Sequence, residues 1–236
     1  MNALQKQQID YILNDKPDRV DKAGIKNFLD GVSSPWYFLD FETMQLVIPE
    51  YPNSHPYQQI TFQYSLHYIE GENGELKHKE FLGVSGEDPR RALAEQLIKD
   101  IPQNACVLAY TRGFEKGRIK ELAEMFPDLA DSLMKIRDNI QDLIDPFHHG
   151  HYYTKAIGNS FSIKSVLPAM FPNDPELDYH NLEGVHNGGE AMTIFPLIKD
   201  MPPMEQEIAR KNLLKYCELD TYAMVKIWQK LKELCM

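Results

Sequence analysis

Residues 37–43, Tyr-Phe-Leu-Asp-Phe-Glu-Thr, decide how this chain is read. The run is apolar enough for a strand buried in the middle of a sheet, yet it carries two carboxylates one residue apart. Positions i and i+2 of a strand share a face, which sets Asp40 and Glu42 side by side, about 7 Å apart along the backbone. Two like charges at that spacing repel and resist joint ionisation unless a cation lies between them. The competing reading is an exposed strand end with two solvated acids.

The segments on either side extend the sheet. After a proline-rich loop at 49–56, residues 60–69 alternate polar and apolar, and residues 76–84 do so less cleanly across a hairpin loop at 70–74. Three successive strands joined by short turns are predicted to be antiparallel neighbours. The period then changes to that of helices. Helices are predicted over 88–101, 114–126 and 129–136, with a short apolar strand at 105–110 between the first two. Residues 140–145 read as a short strand or the edge of a helix. The stretch 146–189 is loop-rich apart from a helix at 162–170, and helices are predicted over 191–198 and 204–234. The order predicts an α/β fold, a mixed sheet flanked by helices. Residues 1–34 read as a lead-in of short helices or a linker, and 35–236 as the domain.

Composition is that of an ordinary globular chain: 236 residues, 43% hydrophobic and 25% charged. No run approaches the roughly twenty apolar residues of a membrane span, and the N-terminus lacks a secretory pattern. Three widely spaced cysteines, Cys106, Cys217 and Cys235, read as free thiols, which predicts a reducing cytoplasm. A net charge of −10 argues against a broad basic footprint for duplex nucleic acid. It leaves room for a nuclease whose clustered acids are compensated by bound ions.

A second acidic signal lies near the other end. The last helix carries Tyr216 and Asp220, which at i and i+4 stack on one face. Between the two signals, residues 107–115 form a short apolar strand followed by Phe114 and Glu115. A strand with D-x-E, a middle acid after a short strand and a late helix with Y-x-x-x-D together resemble the DEDD 3′–5′ exonucleases, tyrosine subclass, of the ribonuclease-H-like superfamily. More narrowly, residues 37–66 and 162–168 are similar to an uncharacterised bacterial family assigned to that superfamily, often found at the C-terminus of a longer chain.

The resemblance implies a ribonuclease-H-like sheet of about five strands, the first three antiparallel. It implies two Mg²⁺ or Mn²⁺ ions held by Asp40, Glu42, Glu115 and Asp220, with Asp142 as a helper, and Tyr216 orienting the attacking water. Thr43, Phe114 and Lys164 are implied to touch the substrate, a single-stranded DNA or RNA end. Such ions about 4 Å apart suit in-line phosphodiester hydrolysis, and hard cations want clustered carboxylate oxygens. One departure stands out: position 115 is glutamate where the family has aspartate, reaching about 1.5 Å further. Two rival functions follow, a catalytically weakened module that binds nucleic acid or a protein, and a phosphoesterase for small nucleotides.

Other groups weigh less. His148, His149 and His151 lack a fourth zinc ligand at familiar spacing. Asn187-Gly188-Gly189 reads as a turn rather than a phosphate cradle. Gln63 and Tyr64 read as packing beside the site.

Overall fold

The computed structural model describes residue 1 and residues 3–236. In chain order the elements are α1 (Ala3–Leu13), β1 (Arg19–Val20), α2 (Lys22–Asp30), β2 (Trp36–Gln45), β3 (Gln59–Ile69), β4 (Leu76–Leu82) and α3 (Arg90–Asp100). They continue with β5 (Cys106–Ala109), α4 (Gly113–Met125), α5 (Ala130–Asp138), β6 (Ile140–Asp142), α6 (Asp145–His148) and β7 (Tyr152–Tyr153). The last three helices are α7 (Ile163–Met170), α8 (Gly188–Ile194) and α9 (Pro203–Cys235), the last opening on a proline that lacks only an N–H with no helical partner.

Five strands form the main sheet in the order β4-β3-β2-β5-β6. β2, β3 and β4 are antiparallel neighbours, while β5 and β6 run parallel to β2. Helices cover both faces. Alternate residues of β2 divide between two cores: Tyr37, Leu39 and Phe41 pack with residues of α3, α4 and α5, whereas Trp36 and Phe38 pack with α9. On that second face Trp228 of α9 lies 4.7 Å from the Trp36 ring and 5.6 Å from that of Phe38. Asp40 and Glu42 continue the same face toward the strand's end.

A polar seam fixes α9 along β3. The Gln63 amide donates to the Leu213 carbonyl at 2.8 Å. Ser65 Oγ and His67 Nδ1 each lie 2.7 Å from Thr221 Oγ1. Buried polar groups without such partners would cost about 1–3 kcal/mol each, so these bonds favour one helix register. A β-bulge assists. Glu42 pairs with Gln63 and Thr43 with Thr61, which leaves Phe62 unpaired. The extra residue turns the chain, so Phe62 joins the α9 side, stacked 4.0 Å from Phe195.

Some boundaries differ from the sequence reading. The helix expected at 191–198 starts earlier, at Gly188, where the Asn187 side chain accepts from the Glu190 amide. It passes into a 3₁₀ turn over Phe195–Asp200 because Pro196 offers no N–H to the α-helical ladder. Residues 140–142 settle as a strand. The two-residue β1–β7 ladder, too short to show a period, ties the lead-in to the loop after α6, and Ile25 of α2 is fully buried in the α9-side core. Among the described residues no helix is long and apolar enough to cross a membrane.

Candidate metal centre

The end of β2 is where four elements meet. Asp40 is half-buried and Glu42 buried, and with the buried thiol of Cys217 on α9 they offer one ligand atom each, all within 4.8 Å of one another. The two acids come from the strand's period of two, and Cys217 and Asp220 from helix positions three apart that share a face.

Electrostatics shows how crowded the pocket is. Burial, then the charges of Asp220, Glu42 and Glu115, push the Asp40 carboxyl far above the ordinary carboxylate range. Burial and Asp220 raise Glu42 to about 8, partly offset by the Lys164 ammonium. Glu115 also rises to about 8, through burial and the charge of Asp142. Asp220 is raised less, to about 6, because the Tyr179 hydroxyl, Lys164 and Tyr216 all favour its ionised form. Asp40 of β2 therefore feels acids from its own strand, from α4 and from α9.

Glu115 sits in the first turn of α4, 2% exposed, and its Oε2 has no hydrogen-bond partner. A buried carboxylate oxygen left unsatisfied is costly. The donors fit divalent cations: the carboxylate oxygens, one of them orphaned, are hard ligands of the kind Mg²⁺ or Mn²⁺ takes, and the Cys217 thiol adds a soft one.

Asp142, foreseen as a helper ligand, has another job in the structure. Its Oδ1 accepts from the amides of Thr111 and Ile144 at 2.9 and 3.3 Å, and its Oδ2 from the Arg112 amide at 3.0 Å. These bonds clamp the turn between β5 and α4. Thr111 there adopts φ +73°, a left-handed conformation that a β-branched residue disfavours. The clamp thus holds the turn that delivers Glu115.

The residues implied as substrate contacts have mixed settings. Thr43 is buried beside the bulge. Phe114 is half-buried, its ring 5.5 Å beneath the Arg118 guanidinium. Lys164 is exposed at the start of α7, bonds the His186 carbonyl at 3.0 Å, and stands 5.1 and 5.4 Å from the rings of Tyr179 and Tyr216. It borders a cleft of about 590 Å³ lined also by Phe171, Tyr179, His180 and His186. Tyr216 is buried, and burial with the neighbouring carboxylates pushes its phenol upward, so it stays protonated.

Two residues of the site carried no sequence signal. Tyr179 donates to Asp220 Oδ1 at 2.6 Å from a loop of 3₁₀ turns, 41 positions away. Gly188, at the start of α8, lets backbone approach Glu42; a Cβ there would lie 3.3 Å from Glu42 Oε2. The tripeptide read as a turn is thus a helix start packed on an acid. Of the histidines, His148 and His149 are exposed, while His151 Nδ1 lies 3.1 Å from Asp21, the residue that caps α2.

The fold and this acid pocket define a mixed α/β domain with a clustered-carboxylate centre. The chain belongs to the family described as Domain of unknown function (DUF2779), whose model matches residues 37–162. It is similar to an uncharacterized protein of Mycoplasma genitalium, 26% identical over 223 residues, covering 86% of this chain and 32% of that protein. A second uncharacterized protein, from Ureaplasma parvum, is 26% identical over 242 residues, covering 92% of this chain and 34% of its own. The chain spans about a third of the length of these curated relatives. No solved structure matches it.

Proposed function

We propose that this domain is a ribonuclease-H-like, metal-dependent 3′–5′ exonuclease acting on single-stranded nucleic-acid ends. The observation that carries the reading is the cluster of Asp40 and Glu42 at the end of β2, with Asp220 of α9 and Glu115 of α4 near enough for their charges to be felt at Asp40, and one buried Glu115 oxygen lacking any partner. The strand order, three antiparallel strands followed by two parallel ones, supports the superfamily likeness.

Divalent cations, if held there by these acids, would supply positive charge for the developing phosphate oxygens and acidify a water molecule. The chain's own groups do the rest. Asp40, which feels the charges of Asp220, Glu42 and Glu115, would be the acid shared between the cations. Tyr179 and Lys164 keep Asp220 ionised at neutral pH, ready to bind. Tyr216 stays a neutral phenol, which suits it to orient the attacking water rather than take its proton. Lys164 stands at the rim, where its ammonium can meet a substrate phosphate as a point charge.

The test is release of mononucleotides from 5′-labelled single-stranded DNA and RNA with Mn²⁺ or Mg²⁺, beside Asp40→Ala. A ladder shortening from the 3′ end that disappears in Asp40→Ala supports the reading. Equal cleavage by both proteins removes it. Mn²⁺ binding without turnover favours a module that has kept the centre and lost the chemistry, with the longer Glu115 side chain as the first suspect.

A further inference from the structure

Cys217 is the one group in the pocket that the phosphodiesterase reading does not use. It is fully buried on α9, facing β2, and its Sγ lies 3.9 Å from Asp40 Oδ2 and 3.9 Å from the Asp40 carbonyl oxygen. It belongs to the same group as the Asp40 and Glu42 carboxylates, with ligand atoms within 4.8 Å of one another.

We infer that Cys217 is a metal ligand beside Asp40 and Glu42, making this a mixed sulfur and oxygen site that takes a thiophilic divalent transition ion, of the Zn²⁺ or Co²⁺ class, in preference to Mg²⁺. The inference rests on the centre proposed above and names the ion for it.

Geometry comes first. A sulfur and an oxygen bound to one zinc at about 2.3 and 2.1 Å in a tetrahedral arrangement lie about 3.6 Å apart. The observed 3.9 Å between Sγ and Oδ2 needs only a few tenths of an ångström of adjustment. Composition comes second. Thiolate is a soft ligand that Mg²⁺ does not seek, whereas zinc and cobalt accept sulfur, imidazole and carboxylate together. The independent observation is Glu115: buried, near enough for its charge to be felt at Asp40, and with Oε2 left unpartnered, it keeps a carboxylate oxygen free beside the group. On binding, the thiol proton leaves to solvent and the sulfur lone pair forms the bond to the ion, with no change of oxidation state.

The sulfur also accounts for its own setting. A thiol in a hydrophobic core packs among apolar atoms, whereas this one, while protonated, donates to the Asp40 carboxylate and offsets only part of a crowding that a bound cation would relieve further. Cys106 and Cys235, which lie outside the pocket, serve as internal controls.

The experiment is a Co²⁺ titration of the full chain under a thiol-free reductant, read by absorption, beside Cys217→Ser, Cys235→Ser and Asp40→Asn. Thermal melts confirm that each variant is folded. Wild type and Cys235→Ser are expected to develop a near-ultraviolet thiolate-to-cobalt charge-transfer band at one equivalent, and Cys217→Ser to lose it. Competition should show Zn²⁺ affinity falling about 10- to 100-fold in Cys217→Ser while Mn²⁺ affinity changes less than about 3-fold. Cobalt bound in an Asp40-dependent way with no thiolate band, and unchanged by Cys217→Ser, overturns the inference and leaves the carboxylate centre standing. Binding that survives Asp40→Asn unaltered, or no binding by wild type, removes the centre and the inference together. Should Cys217→Ser fail to fold, Cys217→Ala and the wild-type spectrum alone decide, since the band is either present or absent.

Discussion

Tyr179 donates its phenolic hydrogen to Asp220 across 2.6 Å, joining a 3₁₀ turn to the middle of the longest helix. The bond lets a buried aspartate stay closer to its ionised form than Asp40, Glu42 or Glu115 beside it, because a donor to the carboxylate offsets part of the burial. Tyr179→Phe removes that donor and moves the Asp220 carboxyl further up. Mn²⁺ binding followed by calorimetry across pH should then show its acidic limb displaced to higher pH, with affinity near neutrality about 10-fold weaker or more. An unmoved limb would show that Tyr179 does no more than pack.

The crowding of acids has a sign that stability can read. Glu42 and Glu115 are raised from 4.5 to about 8, so between those values the folded chain keeps protons that the unfolded chain has released. Stability in chelator therefore declines as pH rises through that window. Asp40→Asn relieves repulsion and should raise Tm in EDTA, by roughly 2–4 °C for each kcal/mol relieved. The same variant should lose the Tm increase that divalent ions give wild type. A lower Tm in EDTA would count against like-charge crowding.

Asp142 is assigned to hold a turn, which separates it from a ligand experimentally. Asp142→Ala leaves the amides of Thr111, Arg112 and Ile144 without their acceptor and should cost about 2–4 kcal/mol in urea unfolding. Asp142→Asn keeps one acceptor oxygen and should recover part of that loss. Were Asn as damaging as Ala to metal binding yet harmless to stability, the carboxylate would be acting on the ion itself.

The seam between β3 and α9 predicts a second pH dependence of opposite sense. Burial, and then the charge of His78, lower His67 from 6.5 to about 4. Its neutral ring belongs to the fold, so the stabilisation is complete above about pH 6.5 and is lost as pH falls toward 4, in total on the order of 3 kcal/mol. His67→Gln should flatten that part of the stability profile relative to wild type. An unchanged slope would place the acid sensitivity elsewhere.

Much of this was legible in the residues. The apolar run around Asp40 and Glu42 is a central strand because only a strand buried on both faces tolerates that pattern, and period-two geometry put the acids on one side. Tyr216 and Asp220 share a face because helical spacing allows nothing else. What failed did so locally: Pro196 cut short a helix that its neighbours' hydrophobicity had promised, and the β1–β7 pairing was too brief for any period to show.

Sequence by itself determined the main strands and helices, their order and which residues carry charge, since period and turn chemistry are properties of neighbours along the chain. Only the tertiary structure decided that a buried Glu115 oxygen is left unpartnered, that Asp142 accepts from the amides of the turn, that Tyr179 bonds Asp220, that Gly188 packs on Glu42 and that Cys217 lies beside Asp40 and Glu42. Those facts depend on the packing of α4, α8 and α9 against β2. Hydrogen bonds and charge act through space across tens or hundreds of residues, and no local pattern records such a distance.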